Sequence, residues 1–106
     1  SLNVHTGKVD LTPLGGDWKT VCIIGPYATN EMAKDLTGHA VDIVTQSEIS
    51  SLDGIALLIT IDAKDRTTLF DVSRKNSDFT SLSGTCWPKV TEFRVPTVGW
   101  PVVFNP

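Results

Sequence analysis

Short apolar runs separated by polar turns dominate the chain, and most of them have the period of a β-strand. In the clearest run, residues 55–61, every side chain is apolar except Thr60, so odd and even positions would face opposite sides of a strand. The largely polar turn of residues 63–66 follows, and a second alternating run covers residues 67–73. This pattern predicts a β-hairpin, although it does not fix the register of the two strands.

A second apolar run extends from Trp18 to Ile24 and is rich in β-branched and aromatic residues. Because apolar residues occupy almost every position, both faces of this strand would be covered, which is typical of a central strand. Gly25 and Pro26 close the run. The prediction places Cys22 inside the core.

Helical signals are short. Thr29 or Asn30 can cap a helix over residues 31–36, and Gly38 supplies the conformation that ends it. Residues 40–45 alternate in a manner that predicts another strand, and residues 47–52 resemble one helical turn.

The remaining segments are less regular. Glycines and a proline in residues 1–16 predict a flexible arm, so we expect the folded part to begin at Asp17. A polar stretch at residues 74–84 predicts a long loop of the kind that often carries function. Pro88 interrupts a strand predicted between residues 85 and 95, and the prolines of the tail 96–106 restrict it to an edge strand or an extended segment.

Together these elements predict an α+β fold in one small domain over residues 17–106, with a largely antiparallel sheet of about five strands and one short helix. The chain has 106 residues and a mass of 11.5 kDa, enough for one modest core. Its net charge is −3, and no basic stripe could follow a phosphate backbone, so nucleic acid is not an expected partner.

No membrane-spanning segment is expected in this chain. No apolar run reaches the roughly 18 residues that span a bilayer. The chain begins at Ser1 without a leader, so a removed signal peptide, a lipid-bearing cysteine upstream or a trimmed end are the alternatives.

Two cysteines, Cys22 and Cys86, both lie in strand-like apolar runs. A bridge between them would close a long loop, stabilise the fold by about 4 kcal/mol in the chain-entropy model, and imply an oxidising compartment. The alternative is a pair of unconnected buried thiols, because unpaired cysteine is itself often buried.

Candidate catalytic groups are few. Cys22 with His39 could form a nucleophile and base, but a cysteine nucleophile needs an accessible thiolate. Asp53 and Asp62 could form an acid pair for glycoside hydrolysis, although each has a simpler role at a turn. The two histidines and two cysteines lack zinc-site spacing, and no phosphate-binding or dinucleotide motif occurs. We therefore expect no enzymatic activity, no metal and no cofactor.

Aromatic residues are the strongest binding candidates, because tryptophan and tyrosine dominate interface hot spots. Trp18 and Trp87 flank the cysteines and are expected to pack on the bridge. The predicted partner-binding residues are Tyr27, Phe79, Trp100 and Phe104. For Phe79, a ring that anchors its loop in the core is the alternative.

The run Asp17–Tyr27, with residues 53–58 and Ser83–Cys86, resembles a pattern in small uncharacterised periplasmic proteins or lipoproteins of enteric bacteria. This resemblance implies an envelope location and a Cys22–Cys86 bridge. It brings no activity and no catalytic residues.

The sequence thus predicts a non-enzymatic exported protein, periplasmic or anchored to the outer membrane, that binds a protein partner as an inhibitor, immunity factor or accessory protein. One alternative is a small hydrolase acting on the cell wall. Another is an architectural subunit whose edge strand near residues 102–104 pairs with a neighbour.

Overall fold

The fold is built on two antiparallel sheets. The computed structural model describes residues 7–8, 11, 14–51, 53–73, 79–89, 92–95 and 103–105. The described strands are β1 (Gly7–Lys8), β2 (Trp18–Ile24), β3 (Ile55–Asp62), β4 (Thr67–Ser73), β5 (Thr85–Pro88), β6 (Glu92–Val95) and β7 (Val103–Asn105). The described helices are α1 (Asn30–Thr37), α2 (Ile43–Gln46) and a 3₁₀ turn (Thr80–Leu82). The main sheet has the strand order β4-β3-β2-β5, and the small sheet has the order β1-β6-β7.

The predicted hairpin is confirmed, and its register is now defined. β3 and β4 pair from Ile55 opposite Ser73 to Ile61 opposite Thr67. The turn is closed by Asp62, whose N–H donates to the Arg66 carbonyl over 3.0 Å and whose carboxylate accepts from the backbone N–H groups of Lys64 and Arg66. Hydrogen bonds made by the backbone and the side chain of Asp62 therefore stabilise the turn.

Both faces of the main sheet are buried, as the apolar runs of β2 and β3 predict. Val21 and Ile23 face a cluster that includes Phe93 of β6, and we call this side the small-sheet face. Cys22 and Ile24 face a cluster that includes residues of α1 and α2, and we call this side the helix face. The alternation within β3 follows the same division, with Ala56 and Leu58 on the small-sheet face and Leu57 and Ile59 on the helix face.

A bulge at the start of β2 changes the side on which Trp18 lies. Its position would place it with Cys22 on the helix face, but the register shifts between Trp18 and Thr20, and the ring joins the small-sheet cluster. Its indole Nε1 donates to the Gly15 carbonyl over 3.0 Å. The Lys89 ammonium lies 5.4 Å from the ring centroid.

Both flanking tryptophans therefore lie away from the disulfide, which corrects the expectation that they pack on it. Trp87 packs against the small-sheet cluster and meets Phe93 edge to face at a centroid distance of 6.0 Å. Cys86 lies with the helix-face cluster. The physical reason is the pleat of β5, since successive side chains point to opposite faces.

The helix α1 has the predicted caps. The Thr29 side chain accepts from the Met32 N–H, and Gly38 ends the helix with φ 76°. The strand predicted over residues 40–45 is wrong, because α2 begins at Ile43. The Asp42 carboxylate accepts from the Thr45 N–H, and the Asn30 side-chain oxygen accepts from the N–H groups of Ile43 and Val44. These polar caps override the weak alternation of the segment.

The N-terminal segment also differs from the prediction. Gly7 and Lys8 form β1, which pairs with Val95 and Arg94 of β6, and Leu14 is buried in the small-sheet cluster. Described residues before Asp17 are thus part of the fold rather than a separate arm. No strand pattern is visible in the sequence here, because β1 has only the two residues Gly7 and Lys8.

The disulfide joins Cys22 and Cys86, which are directly opposite each other on β2 and β5. The Lys89 N–H donates to the Lys19 carbonyl over 2.8 Å, and hydrogen-bonded pairs alternate along an antiparallel ladder, so Cys22 and Cys86 form a non-hydrogen-bonded pair. Side chains are closest at such pairs, and the two Cα atoms are 4.0 Å apart. The bridge links the central strand to a short edge strand.

Reduction of this disulfide should lower the free energy of unfolding by about 4 kcal/mol, since the cross-link restricts the unfolded chain. Urea unfolding of the oxidised and reduced protein measures the difference. The Cys22→Ala/Cys86→Ala variant is the control, because reductant should leave its unfolding curve unchanged. Equal stability of the oxidised and reduced wild type would contradict this role of the bridge.

Candidate functional site

Three segments meet at the end of the main sheet where β2 ends, and we call this region the loop end. It comprises residues 25–28, 47–51 and 79–84. The Ser50 hydroxyl donates to the Ala28 carbonyl over 2.6 Å, and the Gly25 N–H donates to the Ser83 hydroxyl over 2.8 Å. A Cβ on Gly25 would lie 3.1 Å from that hydroxyl, so a larger residue would crowd this junction.

Tyr27 is an exposed large hydrophobic residue of the loop end, with 60% of its surface accessible. Its backbone is left-handed, with φ 64°, and its N–H donates to the Ile49 carbonyl over 2.7 Å. A residue with a Cβ pays roughly 1 kcal/mol to adopt this conformation. Such outliers concentrate at functional sites, where the surrounding structure holds them in place. Tyr27 is therefore an exposed aromatic ring on a fixed backbone.

Phe79 is placed differently from the prediction. Its side chain is fully buried, and its ring meets Phe93 edge to face at a centroid distance of 5.8 Å. The ring is unavailable to a partner and instead anchors the start of the 3₁₀ turn. Burial of a large aromatic ring outweighs the polar character of the neighbouring sequence.

The structure does not describe the side chains of the other two predicted partner-binding residues. Trp100 lies outside the described residues. Phe104 belongs to β7 and is opposite Phe93 in the backbone register, but its side chain is outside the description. Both residues stay predictions.

The Cys22/His39 pair is excluded as a nucleophile and base, because the Cys22 sulfur is bonded to Cys86 and no thiolate exists in the oxidised protein. His39 follows the helix-ending glycine, and its Nε2 lies 3.8 Å from an Asp65 oxygen in the hairpin turn. The His39 ring therefore lies next to this turn.

The proposed acid pair does not assemble either. Asp53 precedes β3 and Asp62 ends it. A strand of this length spans about 23 Å, whereas the two carboxyls of a glycosidase lie roughly 5 to 9.5 Å apart. The Asp62 carboxylate also accepts from the Arg66 side chain over 2.7 Å.

Two further acids, Asp42 and Asp71, have structural partners. Asp42 caps α2, and the hydrogen bond from the Thr45 hydroxyl is the main cause that lowers its pKa. Asp71 accepts from the Ser47 hydroxyl over 2.5 Å, which joins β4 to the segment after α2. Both carboxylates therefore have structural roles.

A shallow groove of about 390 Å³ runs beside α1. Its lining residues are Asn30, Glu31, Lys34, Ala40, Val41 and Asp42. The Asn30 amide donates to the Asp42 carboxylate over 3.1 Å, so two of its polar groups already satisfy each other. Within the described ranges, no group of three or more His, Cys, Asp or Glu side chains is placed to hold a metal ion.

Sequence reasoning missed the backbone conformation of Tyr27 and the role of Asn30. Nothing in the sequence indicates that Tyr27 has a left-handed backbone, or that Asn30 bridges the two helices rather than capping α1. The sequence offers one indication for Asn30. Its side-chain amide can accept and donate hydrogen bonds at the same time, so it can join two segments. Its partners, however, lie 12 to 14 residues away.

Comparisons with protein families, curated proteins and solved structures found no match to this chain. Among the helices that the structure describes, none has the length and apolar character needed to cross a membrane. The disulfide and the geometry of the loop end are therefore the features that bear on function.

Asp62 should make the hairpin sensitive to acid. Its pKa lies below the ordinary value of 3.8, chiefly because the Arg66 N–H donates to the carboxylate. A carboxyl with a lower pKa in the folded state contributes stability above its unfolded pKa and loses it as the pH falls through the folded value. Asp62→Asn should therefore be less stable than wild type at pH 7, and the difference should shrink below pH 3.8.

Urea unfolding across this pH range checks the expectation. Asp17→Asn removes one negative charge at an exposed position outside the hairpin and is the control for the change in net charge. A stability difference for Asp62→Asn that is constant with pH would contradict the role of the ionised carboxylate.

Proposed function

We propose that this chain is a non-enzymatic exported domain that binds a protein partner in the cell envelope through the loop end. Tyr27 carries the proposal. Its ring is exposed on a backbone that the Ile49 carbonyl holds in an unfavourable conformation. Rigid aromatic side chains lose little conformational entropy on binding and serve as interface anchors.

The Cys22–Cys86 disulfide supports the location, because disulfides persist in oxidising compartments such as the periplasm and the cell surface. A periplasmic or outer-membrane-anchored protein, with a lipid anchor upstream of Ser1 as one form, fits this chemistry. The finer assignment to inhibitor, immunity factor or accessory protein is part of the proposal.

The non-enzymatic reading is supported by the roles of the candidate catalytic groups. Cys22 is held in the disulfide, Asp62 forms the hairpin turn, and Asp42 caps α2. The competing hydrolase would be supported by saturable turnover of wall fragments, model esters or glycosides. Loss of that turnover in Asp53→Asn would overturn the proposal.

Tyr27→Gly separates binding from folding. Glycine adopts a positive φ without the steric cost of a Cβ, so the variant should be at least as stable as wild type. It lacks the ring, so it should lose retention of the partner. The measurement compares immobilised wild type and Tyr27→Gly in a detergent-solubilised envelope fraction of the source cell, with thermal unfolding in parallel.

Met32→Ala and Val44→Ala are the matched controls, because both remove exposed apolar side chains, 52% and 50% accessible, from the helices. They should retain the partner. Unchanged retention by Tyr27→Gly would refute the loop end as the binding surface. Trp100→Ala tests the remaining predicted aromatic residue in the same assay.

A further inference from the structure

The outer edge of β4 carries backbone groups that point away from the main sheet. The Asp62 N–H donates to the Arg66 carbonyl, and hydrogen-bonded pairs alternate along the β3–β4 ladder. It follows that Thr68, Phe70 and Val72 bond to β3. The residues between them have outward N–H and C=O groups. These residues are Thr67, Leu69, Asp71 and Ser73.

At the opposite edge of the sheet, the sequence of β5 hinders pairing with a further strand. On β5, Thr85 and Trp87 are in register with Ile23 and Val21 as hydrogen-bonded pairs, so Cys86 and Pro88 point their backbone outward. Pro88 has no N–H, which is the usual way in which an edge strand is protected. The two edges of the main sheet therefore differ in their protection against strand pairing.

The β4 edge has none of these protections. β4 runs from Thr67 to Ser73 without a lysine or proline, and its only charge is Asp71. That carboxylate is turned to the Ser47 hydroxyl of the same chain. Leu69 and Phe70 are half-buried and pack at the margins of the helix-face and small-sheet clusters, respectively. No strand that the structure describes pairs with this edge.

We propose that β4 pairs with β4 of a second copy of this chain, antiparallel across a two-fold axis, to form a continuous sheet through the dimer. A second copy is the favoured occupant because the edge is complementary to itself. When Phe70 faces Phe70 of the second copy, Thr67 meets Ser73 and Leu69 meets Asp71, so every outward-facing residue of β4 has a partner.

This register also suits the side chains. It places each Asp71 opposite a leucine rather than opposite the like charge of the second copy, which would be unfavourable. The Phe70 pair is non-hydrogen-bonded, the position at which side chains of paired strands are closest. Aromatic cross-strand pairs stabilise such positions.

The first experiment measures self-association of the full chain by sedimentation velocity over about 1 µM to 1 mM, a range that brackets weak and moderate dimers. Wild type should show a concentration-dependent dimer. Thr68 is exposed, and its own N–H bonds to β3. Thr68→Lys therefore adds a charge to the edge strand without removing an outward backbone group. The charge should weaken dimerisation about tenfold or more, equivalent to about 1.4 kcal/mol.

Thr85→Lys is the matched control at an exposed position on the β5 edge, and it should dimerise like wild type. Circular dichroism checks that both lysine variants remain folded. A wild-type chain that stays monomeric over the whole range overturns the proposal and leaves the β4 edge to an extended segment of another protein. Equal weakening by both lysine variants also overturns it.

The second experiment tests the register. Phe70→Cys should form an intermolecular disulfide on mild oxidation, because it meets its own copy at a non-hydrogen-bonded pair like that of Cys22 and Cys86. Thr68→Cys should not, because the two copies of this residue would be about 13 Å apart. Cross-linking of Thr68→Cys in preference to Phe70→Cys would refute this arrangement.

Discussion

The covalent bond between Cys22 and Cys86 is the constraint on which the arrangement of the main sheet depends. It ties β2, which is buried on both faces, to β5, which has only the four residues Thr85–Pro88. A strand this short contributes few ladder hydrogen bonds, so the bridge keeps it in register. The Cys86 sulfur also lies 3.5 Å from the Leu36 carbonyl oxygen, a van der Waals contact that places the bridge beneath α1. The same bond therefore fixes the edge strand and supports the helix layer.

The sheet fixes the loop end, where the candidate binding residue lies. Because β2 and β5 are held together, the segments after β2 and before β5 meet, and Ser83 bonds to Gly25. The Ile49 carbonyl then fixes the backbone of Tyr27 from a third segment. An exposed ring on such a backbone fits the partner binding proposed for Tyr27. The two edges of the main sheet differ. Pro88 protects the β5 edge, whereas no described strand pairs with the β4 edge.

The sequence was sufficient for the elements whose patterns are strong and local. The alternation of β3, the apolar run of β2 and the helix-ending Gly38 each have one physical interpretation, and all are present. Of the two predicted N-cap residues, Thr29 is the one that caps α1. The α2 helix was missed because its caps depend on Asn30, which is distant in sequence, and alternation alone favoured a strand. Phe79 was misplaced because burial depends on Phe93, a contact between separate segments. The left-handed Tyr27 arises from tertiary structure and has no sequence signal.

The most direct test of this account is the intact mass of the chain, purified from its source without reductant and alkylated under denaturing conditions before and after reduction. We expect no label before reduction and a label on both cysteines afterwards. That result would place the bridge in the protein as the cell makes it. Two labels before reduction would show a dithiol, which would contradict both the stabilising role of the bridge and the oxidising compartment inferred from it.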